Sequence, residues 1–444
     1  MFQIMKNAWK ITELRNKILF TILIVAIFRA GSAISVPFID VAALNTAVSA
    51  AQNDWMGFLT LMSGGGFSNA SIFALSITPY INASIIIQLL TVAIPALEQM
   101  SKDGEEGRKK LAQITRYATV ILSLLLGVAY YFMVRNNYGA IAKYAQSGFA
   151  GVFAAIVIVL CFTAGSTLVM WLGEQINKNG IGNGISILLF AGILSSLPTG
   201  LINLWDIFMQ GVSALQQGYT DGLTYVILVP VVLVLFVAIM MFIVFITDAE
   251  RRIPVQYAKR VVGRKMYGGQ STYIPIKVNM SGVMPIILAS SIIQLPSIIT
   301  TFTGQPKEGF WLAFLNCFRQ DSLVYVVLYF FMIIGFAFFY VTIQYNPVEM
   351  ANNLRKNSGS IPGIRPGKPT SDFIQKVLSR ITLLGALFLS VVAVGPIIFG
   401  LFNDTFASIS VGGTSVLIIV GVALEIVSNL ESQMMMRHYK GFLD

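Results

Sequence analysis

No charged residue stands between Asp54 and Glu98. As a single helix rising about 1.5 Å per residue, that stretch would run well past the ~30 Å hydrocarbon core of a bilayer. It must therefore break. The break is legible in Met62-Ser63-Gly64-Gly65-Gly66-Phe67-Ser68-Asn69-Ala70-Ser71, which is small and polar. Ile72-Phe73-Ala74-Leu75 follows, and then a full span ending near Pro95. Non-helical backbone at membrane depth survives only where protein covers it or it lines a watery cavity. The segment predicts a funnel in the membrane with a short piece of chain lodged inside it.

The rest of the chain is of the same class. It is 56% hydrophobic and 11% charged, the composition of a polytopic membrane protein. Apolar runs of about 20 residues lie near 18–36, 73–95, 114–134, 152–172, 184–201, 223–247, 281–301, 323–344, 377–399 and 410–430. Between them, segments 1–17, 98–113, 173–183, 248–280, 345–376 and 431–444, counted with the adjoining span ends, hold 25 of the 30 Lys and Arg. The alternate loops hold Arg135, Lys143, Lys307 and Arg319, and Arg29 lies within the first run. The positive-inside rule makes the basic set cytoplasmic with both termini inside, as ten spans require. The formal net charge of +10 is then a property of one face, suited to anionic lipid, acidic protein surfaces or nucleic-acid phosphates. The first run admits two readings, a cleaved signal peptide or a retained span. Arg29 stands where such a peptide is apolar or small, and the run continues to Val36, which favours a retained span.

Several chemistries lack their residues. Cys161 and Cys317 are the only cysteines and His438 the only histidine, so no metal-ligand cluster is evident. No P-loop pattern occurs, which leaves no evident means of hydrolysing a nucleotide. Glu425 is the one acid within a span, placed to reach the interface or pair there. An ion-coupled transporter needs carboxylates at the midplane, and a hydrolase needs a nucleophile with a base or metal. A small-solute secondary transporter with broken helices remains the competing class, and it would require a polar waist.

Ile77 and Ile81 stand one helical turn apart around Pro79, with Asn82 beside them. Ile185 and Leu189 repeat that spacing after Gly180-Ile181-Gly182-Asn183-Gly184. Such pairs ordinarily face lipid or core. Asn82, Gln88, Ser290, Ser291 and Gln294 are polar residues within spans, suited to helix–helix hydrogen bonds or to a gate. Arg29 either snorkels to the outer interface or pairs internally. The loop 248–280 carries Arg251, Arg252, Lys259, Arg260, Arg264 and Lys265, and its stretch Lys265–Tyr273 reads as two short strands around a Gly-Gly turn. The loop 345–376 contains Ile361-Pro362-Gly363-Ile364-Arg365-Pro366-Gly367-Lys368, stiffened by prolines and kept tight by glycines. Loops this long and basic exceed what orientation needs and suggest docking surfaces for a large cytoplasmic partner.

These residues carry a resemblance. Gly65–Leu75 with Pro79-Tyr80-Ile81, Asp103–Lys110, Gly180–Ser186, Tyr257–Arg260, Lys277–Val283, Asn346-Pro347, Pro362–Gly367 and Gly412–Ser415 are together similar to the SecY family, the channel subunits of the bacterial Sec protein translocase. The resemblance implies an all-α polytopic membrane protein of ten transmembrane helices. They form two pseudo-symmetric five-helix halves, a clam-shell with a re-entrant plug. Here the halves would be 1–201 and 223–444, joined by an external hinge loop at 202–222. The plug would span about 57–72, with Gly64, Gly65, Gly66, Phe67, Ser68, Asn69 and Ala70 at its centre. Ile77, Ile81, Ile185, Leu189, Ile287 and Ile418 would form an aliphatic ring at the waist, and Asn82, Ser290 and Ser291 would be polar members of a lateral gate. Leu189 stands where isoleucine is common in the family, and Leu295 where an aromatic is often seen.

The function so implied is a protein-conducting channel in the bacterial cytoplasmic membrane, without enzymatic activity and without a cofactor or metal. It would pass unfolded preproteins with signal sequences and release apolar segments sideways into membrane lipid. An apolar constriction resists wetting, yet its flexible side chains close round any passing backbone. The drive would come from the SecA ATPase or a ribosome on the basic loops, which include Arg365 and Lys368, with SecE and SecG as small membrane partners.

Overall fold

The computed structural model describes residues 6, 8–50, 60, 62–137, 139–142, 148–217, 222–257, 260–262, 265–267, 271–296, 309–319, 322–402 and 413–440. In chain order the helices are α1 (Thr12–Ala33), α2 (Val41–Ala50), α3 (Thr78–Ala93), α4 (Pro95–Lys102), α5 (Gly104–Phe132), α6 (Gly148–Asn179) and α7 (Gly184–Gln216). They continue as α8 (Gly222–Asp248), α9 (Met284–Ile293), α10 (Phe310–Cys317), α11 (Leu323–Gln344), α12 (Pro347–Lys356), α13 (Lys368–Phe402) and α14 (Gly413–Lys440). Among the described residues eight helical stretches are long and apolar enough to cross a membrane, and α3 with α4 makes a ninth, bent by 103°. The bend has a local cause. Proline drives the residue before it out of helical geometry, and Ile94 before Pro95 is extended, at φ −110° and ψ 113°. The run at 281–301 contains α9, only ten residues long, and 297–301 lie outside the described residues. Each of the ten apolar runs thus carries a helix, and the fold is that of a multi-pass helical membrane protein.

One boundary differs from expectation. The stretch 202–222 reads as an external loop, yet α7 continues through Pro198 to Gln216. The residues after Pro198 are predominantly apolar and free of further prolines to Gln216, so nothing in them ends a helix.

The chain divides into two compact units: residues 1–222 with 294–322 and 422–444, and residues 223–293 with 323–421. In the first unit α1 is an integral member. Its Leu14, Ile24 and Phe28 are buried, and Phe28 stacks on Phe73 at 5.9 Å between ring centroids. In the second unit α11 packs along α13, and α9 packs against α11 and α13.

The second unit also contains the basic loops. Strand β1 (Glu250–Tyr257) pairs antiparallel with β4 (Ser271–Lys277), in register from Glu250 opposite Lys277 to Gln256 opposite Ser271. It also pairs with the two-residue β5 (Gly359–Ser360) from the other loop. Strands β2 (Arg260–Val262) and β3 (Lys265–Tyr267) form a separate hairpin. Both strands read within Lys265–Tyr273 are therefore present, but they do not pair with each other. Each finds an upstream partner instead, because β1 supplies alternating Ile253 and Val255 to a buried face. That face forms one core with Ile276, Ala351 and Leu354 of α12, Ile361, and Ile374 and Leu378 of α13. The two basic loops are one folded body.

Candidate functional site

From Ser63 to Ile77 the chain runs in turns, with one bridge at Ser71, rather than in a helix; of the expected plug, residues 57–59 and 61 lie outside the described residues. Internal bonds shape it. Ser63 Oγ accepts from the Phe67 amide at 2.9 Å, and Ser68 Oγ donates to the Gly65 carbonyl at 3.0 Å. Left-handed backbone recurs, at Gly64 (φ 63°) and Gly65 (φ 83°) but also at Ala70 (φ 44°) and Ser76 (φ 50°). Non-glycine residues hold that conformation only where their surroundings over-determine it.

The surroundings do so from four helices of the first unit. From α1, Arg29 Nη1 donates to the Gly64 carbonyl and to Ser195 Oγ of α7, both at 2.9 Å. From α5, Tyr130 Oη donates to the Phe67 carbonyl at 2.7 Å. Its ring meets Phe67 edge-on at 4.8 Å and Phe162 of α6 at 4.6 Å. Two glycines let the backbone come this close: a Cβ on Gly165 of α6 would overlap the Ile72 carbonyl, and one on Gly192 of α7 would overlap the Met62 carbonyl. Ser71 bridges to Ser35, and the amides of Val36 and Ile72 donate to the carbonyls of Ala70 and Ile34, each at 2.9 Å. Phe67 and Ala70 are buried, while Ser68 is half-buried and Asn69 exposed.

Of the six residues expected in the ring, Ile77, Ile81, Ile185 and Leu189 belong to the first unit, and Ile287 and Ile418 to the second. Ile77 caps α3, and Ile81 follows one turn later. Ile185 and Leu189 occupy the start of α7, whose N-cap Asn183 accepts from the Ile185 amide at 3.1 Å. Gly173 of α6 brings these helices close. Its Cβ position lies 3.6 Å from both Ile77 Cδ1 and Leu188 Cδ1, and a Cβ on Gly184 would overlap the Gly173 carbonyl. In the second unit, Val283 just before α9 lies 3.1 Å from the Cβ position of Gly421, three residues beyond Ile418. All six are buried except Ile185, which is half-buried.

The expected gate residues differ among themselves. Asn82 and Ser291 are half-buried, whereas Ser290 is buried and donates to the Ile287 carbonyl at 2.9 Å. Glu425 lies in the first unit and is half-buried.

On the basic body Arg251, Arg252, Arg365 and Lys368 are all exposed. Arg252 Nε is 2.6 Å from Glu250 Oε1, and its guanidinium lies 4.8 Å from the Tyr273 ring centroid. The Glu250 hydrogen bond, then charge interactions, raise its pKa. Arg365 makes no ion pair with the described residues and stands on a turn fixed by Gly363 (φ 81°) and Gly367 (φ 105°). The side chains of Arg260 and Lys265 are beyond the description, and Lys259 and Arg264 lie outside the described residues. Sequence reasoning gave no role to Tyr130, Gly165, Gly192 or Ser195. Only the small residues Gly165 and Gly192, set within apolar runs, offered a signal, that of close helix contact.

Among the described residues no group of His, Cys, Asp and Glu is placed to hold a metal. The family model described as SecY matches residues 71–427. The protein translocase subunit SecY of Streptomyces coelicolor is 44% identical, over 98% of each chain. That of Mycobacterium tuberculosis is 41% identical, again over 98% of each. Among solved structures, a protein-conducting channel superposes with a TM-score of 0.65 at 19% identity, covering 95% of this chain and 92% of that one. Sec61 in a canine ribosome–channel complex gives a TM-score of 0.62 at 17% identity, with the same coverage.

Proposed function

Because the chain belongs to the SecY family of protein-translocase channel subunits, we propose that residues 62–72 act as its plug and that Ile77, Ile81, Ile185, Leu189, Ile287 and Ile418 close its waist. The protein is a non-enzymatic, protein-conducting channel subunit. In our reading it works in a bacterial cytoplasmic membrane with both termini cytoplasmic, as two halves hinged between α7 and α8, and passes unfolded preproteins. Asn82, Ser290 and Ser291 border the exit to lipid. SecE and SecG are its membrane partners, and SecA or a ribosome docks on the body built from loops 248–280 and 345–376.

The observation that carries the waist is chemical. Six aliphatic residues, none with a side chain able to form a directed bond, are all buried but the half-buried Ile185; Gly173 packs beside Ile77, and Asn183 caps the helix that carries Ile185 and Leu189. Such a constriction excludes water and ions at rest and accepts any polypeptide sequence. A midplane transport site would instead need polar or charged groups.

The test uses a cysteine-free channel, assembled with SecE and SecG, carrying Ile418→Cys. A preprotein with one cysteine is stalled in transit with SecA and ATP in vesicles. The disulfide is expected to form only when the substrate cysteine reaches the waist, and to move along the substrate as the stall point moves. Translocation that proceeds with no such disulfide would sink the ring assignment.

A further inference from the structure

We infer that Arg29 and Tyr130 are a two-point latch that holds the plug shut by its backbone, at the carbonyls of Gly64 and Phe67. The inference rests on the reading of residues 62–72 as the plug. It adds which groups retain that segment and what kind of bond does so.

The two donors come from different helices. Arg29 sits four residues before the outer end of α1, where a cation is costly unless it serves an interaction. Its Nη1 is shared between the Gly64 carbonyl and Ser195 Oγ, so one cation ties α1, the plug and α7 together. A charge-assisted bond of this kind is about twice as strong as a neutral one. Tyr130 supplies the neutral bond to Phe67, three residues along, and backs it with a ring-edge contact.

Space at the latch is fitted to the bond. A Cβ at Gly64 would stand 2.5 Å from both Arg29 Nη1 and Ser195 Oγ, and the left-handed φ of 63° there excludes most side chains as well. Beyond the two held carbonyls Ala70 and Ser76 are in left-handed backbone. A strained segment gripped by outside donors is stable while they hold and poised to leave when they let go. Because the grip is on carbonyl oxygens, most plug side chains can change without loosening it.

The experiment uses the complete channel complex in vesicles, in a Cys161→Ser, Cys317→Ser background with Ser68→Cys. The readout is the rate at which a membrane-impermeant maleimide, added from the outer side, modifies position 68 at rest. Arg29→Gln is expected to raise that rate about tenfold and Tyr130→Phe about fivefold, with Arg29→Lys between parent and Gln. The Phe variant removes one oxygen and keeps the ring contact, so it stays informative if the Arg29 variants fail to assemble. Rates within twofold of the parent for Tyr130→Phe and for whichever Arg29 variant assembles would overturn the latch. A second variant lacking 62–70 separates this from the underlying reading. If its vesicles hold ions as tightly as the parent's, the segment is not a seal, whatever holds it. If they leak while the labelling rates stay unmoved, the plug stands and the latch falls.

Discussion

Reversing the charge at Arg365 is expected to cut SecA-driven transport by about thirtyfold or more while leaving the amount of channel in the membrane near that of the parent. The side chain is exposed, but the backbone that bears it is not free. The Ile364 amide donates to the Ile361 carbonyl at 3.1 Å, Thr370 Oγ1 donates to the Arg365 carbonyl at 2.8 Å, and Ile361 is buried in the shared core of the two loops. A cation on a rigid turn loses little entropy on docking, and arginine anchors at interfaces commonly carry about 2 kcal/mol or more, a factor of about thirty. Folding should tolerate the change, since an exposed substitution away from packing usually costs about 0.5 kcal/mol or less. Lys368→Glu makes the useful contrast. Lys368 opens α13, where a carboxylate suits the helix dipole, and a single flexible side chain there should matter less. ATP-driven uptake of a preprotein into inverted vesicles, with SecA co-sedimentation alongside, reads both. Uptake by Arg365→Glu within threefold of the parent would remove this turn from the docking surface.

The second large effect is expected from one methyl group. Gly165→Ala places a Cβ that overlaps the Ile72 carbonyl oxygen, and that oxygen belongs to the backbone of the segment proposed as the plug, which cannot swing aside as a side chain could. Overpacking of this kind typically costs about 1–3 kcal/mol, so the ratio of seated to displaced segment should fall by about five- to 150-fold. Gly192→Ala presses the Met62 carbonyl from the α7 side and should act in the same direction. Gly335→Ala is the control, since nothing lies within 4 Å of its Cβ position and alanine is the better helix former. Maleimide access to Ser68→Cys at rest ranks the three. Equal rates for Gly165→Ala and Gly335→Ala would mean that α6 does not set the plug's seat.

What the sequence revealed followed from long, repeated signals. The ten apolar runs and their alternating basic loops are compositional, and each run proved to carry a helix. The glycine-rich break at 64–66 marks where helix must fail, and residues 63–77 run in turns with one bridge at Ser71. The seat of that segment was not legible. Gly165, Gly192 and Tyr130 lie in apolar stretches where small and aromatic residues are ordinary, and nothing local says which backbone each approaches. Arg29 was narrowed to two readings, and internal pairing is the one realised, though its acceptors are 35 and 166 positions away. The strands within Lys265–Tyr273 were read from their local pattern, but their partners were missed. β1 hides its alternation behind Arg251, Arg252 and Pro254, and β5 is two residues long in a different loop. Pairing between distant segments depends on the core they share, which no window of sequence contains.

That shared core has a mechanical consequence. Ile361 leads into α13 through the Arg365 turn, and Ile374 and Leu378 of α13 are packed into the same cluster as β1 and β4. From Thr370 to Gly395 this helix holds no proline, a stretch of about 39 Å, and Pro396 interrupts its hydrogen-bond ladder beyond. Under the docking proposed above, a load applied to the sheet would reach α13 through this core. It would arrive as torque on a helical lever whose flank packs against α9, the helix that carries Ile287.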